Sequence, residues 1–249
     1  MIEFQDVSKT YGATQALKNL NLSIQEGQIV GLIGHNGAGK STTIKSLVSV
    51  INPTAGKILV DGLDLASNRL RIKQKIGYVA DSPDLFLRLT AQEFWDLVAA
   101  SYGLNRQDYE NRLVDLLHLF DFANHRYEVI ETFSHGMRQK VFVIGALLSD
   151  PDIWVLDEPM TGLDPQAAFD LKQLMRAHAD KGKTVLFSTH VLDVAERIVD
   201  RVGVIAQGEL IFQGSVDDLH TRFSADESLE DMFLELTEED SPFRKVSAS

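Results

Sequence analysis

The sequence predicts an α/β fold, and three observations carry that reading. The segment Gly34-His35-Asn36-Gly37-Ala38-Gly39-Lys40-Ser41-Thr42 satisfies the pattern G-x-x-x-x-G-K-[ST] in full. An apolar run at 28–33 precedes it and a helical pattern at 41–50 follows it, the strand–turn–helix setting such a loop requires. A second apolar run, 153–156, ends in the paired carboxylates Asp157-Glu158, and from Pro151 onward strands and helices alternate.

The elements follow in order. Residues 1–33 read as a β-rich lobe with strands at 2–7, 20–24 and 28–33. After the glycine-rich loop and its helix, Pro53 and Gly56 lead into a strand at 57–60, and Asp61-Gly62 is a turn signal. A short strand follows at 76–79. From 82 to about 150 the pattern turns helical. Thr90 and Glu93 form a capping box for a helix over 90–102, and further helices are predicted at 108–120 and 134–148. Strands return at 153–156, 184–188 and 202–206, with helices at 165–179 and 191–199 between them. A hairpin closes 202–213 through Gln207-Gly208.

Bulk properties bound the function. The 249 residues suffice for one large α/β domain or two closely packed lobes. Against 24 Lys and Arg stand 36 Asp and Glu, a formal charge of −12, which disfavours nucleic-acid binding through overall charge. The absence of cysteine excludes disulfides, thiolate metal sites and thiol nucleophiles. The start Met1-Ile2-Glu3-Phe4-Gln5-Asp6 lacks the basic and apolar regions of a secretory leader, so a cytoplasmic location is expected. No apolar run approaches the roughly 18 residues of a membrane span.

The glycine-rich loop suits polyphosphate. Successive backbone N–H groups and the helix N-terminus form a nest for anions. Lys40 is expected to reach the β and γ phosphates, and the Ser41 hydroxyl to be a ligand for Mg²⁺. The second apolar strand with its two carboxylates resembles the second nucleotide-binding motif of phosphate-loop ATPases, which implies that Asp157 would hold Mg²⁺, mostly through water, and that Glu158 would polarise an attacking water. Ser188-Thr189-His190 ends the next strand, where His190 can contact the γ-phosphate and orient the water. Ser134 caps a helix whose N-terminus can also meet an anion.

Taken together, in this order and spacing, the set resembles the ATPase subunit of ATP-binding-cassette (ABC) transporters over nearly the whole chain. The resemblance implies a P-loop NTPase fold of that type, with a RecA-like core, an antiparallel β lobe and an inserted helical lobe. It implies one cassette over 1–249: core and β lobe at 1–81 and 151–222, helical lobe at 82–150, and an acidic C-terminal helix and tail at 223–249. ATP would lie between two identical subunits arranged head to tail. Ser134, His135 and Gly136 of one would face the γ-phosphate held by residues 34–42 of the other. Tyr11 matches the aromatic that stacks on adenine, and Asp164, in Gly162-Leu163-Asp164, the residue coupling the two sites. The helical lobe would meet integral membrane permease subunits, placing the chain on the inner face of the cell membrane.

Two positions depart from the family pattern. Where it has L-S-G-G-Q, this chain has Phe133-Ser134-His135-Gly136-Met137, and where it has a glutamine after strand 76–79, this chain has Asp81. Asp81 is the third candidate for the metal, through a water. Both departures, with the acidic ending, resemble small single-cassette ATPases of bacterial ABC-2-like exporters, including the Ecs type. An exporter motor is thus the leading expectation. An importer ATPase, or a soluble cassette ATPase acting on ribosomes or DNA, are the alternatives. Residues 226–240 carry eight carboxylates and no Lys or Arg, and Leu229, Met232, Phe233 and Leu236 share one helix face. That helix either docks on its own domain or presents a surface to a partner.

Overall fold

The computed structural model describes residues 1–81, 86–223 and 229–237. Two sheets organise the chain. In the first, β1 (Ile2–Tyr11) pairs antiparallel with β2 (Thr14–Ile24) and with β4 (Ala55–Val60), and β5 (Leu63–Asp64) closes the edge, in the order β2-β1-β4-β5. The second contains β3 (Ile29–Ile33), β6 (Ile76–Val79), β7 (Ile153–Asp157), β8 (Thr184–Thr189), β9 (Arg201–Ala206) and β10 (Glu209–Gly214). Its order is β10-β9-β3-β8-β7-β6, parallel except for the β9–β10 hairpin.

The third predicted strand belongs elsewhere than expected. Residues of β3 are all buried and pair in parallel with β8 and β9, so this strand lies in the core sheet and not in the β lobe. A strand covered on both faces loses the in–out alternation that marks a half-exposed one. The β1–β2 hairpin is also longer than its apolar stretches suggest. It continues through exposed residues to a turn at Gly12, whose φ is 56°. Both two-residue turn signals hold. Asp61-Gly62 and Gln207-Gly208 have positive φ at both positions, the geometry that matches the twist of a tight hairpin.

The helices are α1 (Lys40–Leu47), α2 (Arg69–Lys73), α3 (Ala91–Ser101), α4 (Arg106–Leu119), α5 (His135–Leu147), α6 (Pro165–Ala179), α7 (Leu192–Glu196), α8 (Val216–Arg222) and α9 (Leu229–Thr237). The Thr90–Glu93 capping box is present, and Asn105–Asp108 and Ser215–Asp218 form two more. Each such box satisfies two orphan N–H groups and stabilises its helix by about 1 kcal/mol. The sequence reading missed α2 and α8. Their five and seven residues are too few to show a helical period, although the Ser215–Asp218 spacing is itself a start signal. Helix α1 stops earlier than predicted because Ser49 adopts a φ of 57°.

Helices α3, α4 and α5 pack together around Trp95, Leu113, Phe122 and Val141, all essentially buried. The Trp95 Nε1–H donates to the Val141 carbonyl at 2.9 Å, which satisfies the indole inside an apolar core. The Tyr102 hydroxyl donates to the Ile76 carbonyl and Arg112 to the Leu148 carbonyl. These bonds fasten the helices to the start of β6 and to the end of α5.

On α6, His178 is only 6% exposed and meets the Trp154 ring edge-on at 5.7 Å. Burial pushes its pKa down from 6.5 to about 4; Lys183 and Lys181 add to that, while Asp150 and Asp152 oppose it. The folded protein therefore keeps His178 neutral where the unfolded chain protonates it. Its contribution to stability is full above pH 6.5 and is lost as pH falls toward 4. Urea unfolding at pH 7 and pH 5 should show a smaller acid loss in His178→Phe than in the parent. Equal losses would mean that His178 is not the group responsible.

Candidate nucleotide site

The sheet order places three strand ends side by side. β3 runs into the glycine-rich loop, β8 lies next to it and ends at Thr189, and β7 follows and ends at Asp157. Ligands of open parallel sheets bind at such carboxyl ends. The loop then wraps the N-terminus of α1. Gly34 has no room for a Cβ, because the Ile205 carbonyl and the Ala38 side chain lie where one would go. Gly37 and Gly39 have φ of 81° and 117°, which side-chain-bearing residues adopt only under strain.

Lys40 lies across this loop, 5% exposed. Its ammonium donates to the Gly34 carbonyl at 2.6 Å and to the His35 carbonyl at 3.2 Å, and lies 3.4 Å from Glu158 Oε1. His190 Nδ1 is 2.9 Å from Glu158 Oε2. Glu158 itself has a φ of 50°, a strained backbone for a residue with a long side chain. A cleft of about 180 Å³ is lined by His35, Asn36, Gly37, Gly39, Lys40, Ser41, Thr42, Asp81 and Glu158.

Asp157 is fully buried at the floor. Ser41 Oγ donates to its Oδ1 at 3.0 Å and Ser188 Oγ at 2.6 Å, while Oδ2 has no hydrogen-bond partner. Burial raises its pKa, the two hydroxyls oppose that, and the nearby negative charge of Asp81 adds to it. An orphaned carboxylate oxygen beside a hydroxyl and a second carboxylate fits a divalent oxygen-seeking cation, which would remove the repulsion.

Ser188 is a residue the sequence reading undervalued. Its hydroxyl donates to Asp157 and accepts from the Glu158 N–H at 2.9 Å, so one side chain orients the Asp157 carboxylate and fixes the backbone of Glu158. The register Asp157↔Ser188 brings them together. Only the strand order reveals that pairing.

Ser134, His135, Gly136, Asp164 and Tyr11 do not line this cleft. Ser134 caps α5, accepting from the Met137 N–H at 3.3 Å. Asp164 caps α6, accepting from the Ala167 N–H at 2.8 Å, and pairs with Lys140 of α5 at 3.2 Å. The backbone bond from Ala167 and the Lys140 ammonium hold its carboxyl below the usual range. Tyr11, about half exposed, ends β1 with the Lys9 ammonium 5.0 Å from its ring centre. The start of α5 and the 162–164 loop thus form a second cluster. There a Cβ on Gly162, whose φ is 76°, would collide with the His135 ring, and a Cβ on Gly136 would collide with the Gly162 carbonyl.

A Gly162→Ala substitution drives a methyl group into His135 Nδ1 and strains the backbone. Steady-state ATP hydrolysis should fall about tenfold or more while binding at the loop of 34–42 stays intact, given the roughly 1–3 kcal/mol of such strain. His135→Gly in the same chain removes the collision and should restore part of the rate. Full activity in Gly162→Ala alone would remove His135 and Gly162 from the working contacts.

With this geometry established, the comparisons define the class. Residues 17–161 match the family model described as ABC transporter. The chain belongs to that family, as an ATP-binding subunit that couples ATP hydrolysis to transport. The ABC-type transporter ATP-binding protein EcsA of Bacillus subtilis (strain 168) is 36% identical over 241 residues, covering 96% of this chain and 98% of that protein. The linearmycin resistance ATP-binding protein LnrL of the same organism is 33% identical over 229 residues, covering 91% and 73%. Among solved structures, a dimeric ATP-binding cassette in a post-hydrolysis state with ADP and Pi superposes with a TM-score of 0.79. It is 27% identical, with 87% of this chain and 99% of that one covered.

Proposed function

We propose that this chain is the motor of an ABC exporter, closing as a head-to-tail homodimer on ATP and driving integral membrane permease subunits. The observation that carries the reading is the split of the site. Lys40, Ser41 and Glu158 line one cleft, with Asp157 buried behind Ser41, while Ser134, His135 and Gly136 occupy a separate cluster of the same chain. A second copy supplies that cluster across the nucleotide, as two copies associate in the dimeric cassette structure.

Residues 34–42 bind the phosphates through backbone N–H groups, and Lys40 supplies the positive charge. A γ-phosphate competes with Glu158 for Lys40, which frees the carboxylate to accept a proton from water. His190 holds that carboxylate in place. Mg²⁺ fits Ser41 and Asp157, with Asp81 beside them, and would neutralise charge on the transferring phosphate. Tyr11 stacks on adenine, and Asp164 links α5 to α6 near the dimer seam.

Export is supported by the relatives, one of which carries linearmycin resistance in its name. Among the described residues no helix is long and apolar enough to cross a membrane. The chain then sits peripherally on the inner face of the membrane. The test is a pull-down from gently solubilised membranes followed by mass spectrometry. A stoichiometric polytopic membrane protein supports the motor reading, and ATP-driven uptake by inverted vesicles carrying the pair supports export. Recovery with ribosomes or DNA and no membrane protein would overturn it.

A further inference from the structure

Helix α9 lies against the nucleotide cleft. Met232, Phe233 and Leu236 are buried, and the helix packs along α7, which begins just past His190. The Phe233 ring meets the His35 imidazole at 4.9 Å between centroids and 68° between planes, an edge-to-face pair. His35 is the second residue of the glycine-rich loop, and apart from this contact it faces solvent. Its carbonyl accepts from the Ala38 N–H at 3.1 Å and from Lys40 Nζ at 3.2 Å.

From this chain of contacts, we propose that Phe233 is a positioning residue for the phosphate loop. It fixes His35, and through the His35 carbonyl it fixes the ammonium of Lys40. The acidic C-terminal helix is thereby part of the nucleotide site, about two hundred residues away in sequence. The proposal rests on the nucleotide reading of the loop.

The test is calorimetric titration of the full chain with Mg-ADP. Phe233→Leu keeps an apolar side chain in the pocket but removes the ring edge. It should weaken binding about two- to tenfold, the range of an aromatic pair. Leu236→Ala, on the same buried helix face but away from the His35 ring pair, should lower the melting temperature and leave affinity unchanged. In a His35→Ala background, Phe233→Leu should have no further effect. Unchanged affinity in Phe233→Leu would overturn the proposal. So would additive losses in the double variant, or a loss in Leu236→Ala equal to that in Phe233→Leu. A parent chain that bound no Mg-ADP would instead overturn the nucleotide reading, and the positioning role with it.

Discussion

Replacing Glu158 by glutamine should abolish steady-state ATP hydrolysis while ATP binding persists and a closed dimer accumulates. Glutamine keeps the size of the side chain and can still accept a hydrogen bond through one oxygen. It cannot take a proton from water. General-base catalysis contributes about 10²–10⁴-fold, so turnover should fall by at least two orders of magnitude. The structure adds a second reason for the dimer to persist. Glu158 lies 3.4 Å from Lys40 and 2.9 Å from His190, so its negative charge competes with a phosphate for both. Neutralising it leaves Lys40 wholly to the phosphate and slows reopening. Size-exclusion chromatography with Mg-ATP, beside a phosphate-release assay, reads both effects. Hydrolysis at the parental rate would mean that the base is another residue.

The parts of this site that could be read from sequence are those whose chemistry is local. Gly34–Thr42 announces itself because turn, lysine and hydroxyl are contiguous, and Asp157-Glu158 because a buried strand rarely ends in two carboxylates. The side chains that join these segments were harder to see. Ser188 connects Asp157 to Glu158 only because β8 lies between β3 and β7, and strand order is a tertiary property. β3 was grouped with the wrong sheet because complete burial erases the period that assigns a strand to a face. The same limit applies to His135. Its departure from glycine was legible, and its expected neighbour was a nucleotide phosphate. Its packing on Gly162 of the same chain needed the fold. The apolar stripe of Met232, Phe233 and Leu236 left open whether the helix docks on its own domain or meets a partner; in the structure these residues are buried, with Phe233 against His35, a neighbour no sequence pattern pointed to.

Removing the charge of Lys40 should cost the most affinity of any single change at the loop. Its ammonium is almost fully buried, and its partners are two carbonyls and one carboxylate. In Lys40→Ala the Gly34 and His35 carbonyls lose a charged donor, and Glu158 loses its cation. The phosphates would then meet Glu158 and Asp81 without a compensating charge inside the protein. Hydrogen bonds to charged groups contribute about 1.5–3 kcal/mol each, so one lost bond to phosphate already weakens binding about tenfold to a hundredfold. Repulsion by the uncovered carboxylates adds to that. Calorimetric titration with Mg-ATP measures the loss, and a melting curve without nucleotide separates it from unfolding. Lys40→Arg supplies the control for charge alone. Arginine keeps the cation, but its planar guanidinium cannot reproduce the compact ammonium that donates to both the Gly34 and the His35 carbonyls. It should recover little of the affinity. Parental affinity in Lys40→Ala would show that the phosphates do not bind at residues 34–42, and the assignments of Ser41, Asp157 and Glu158 would fall with that result.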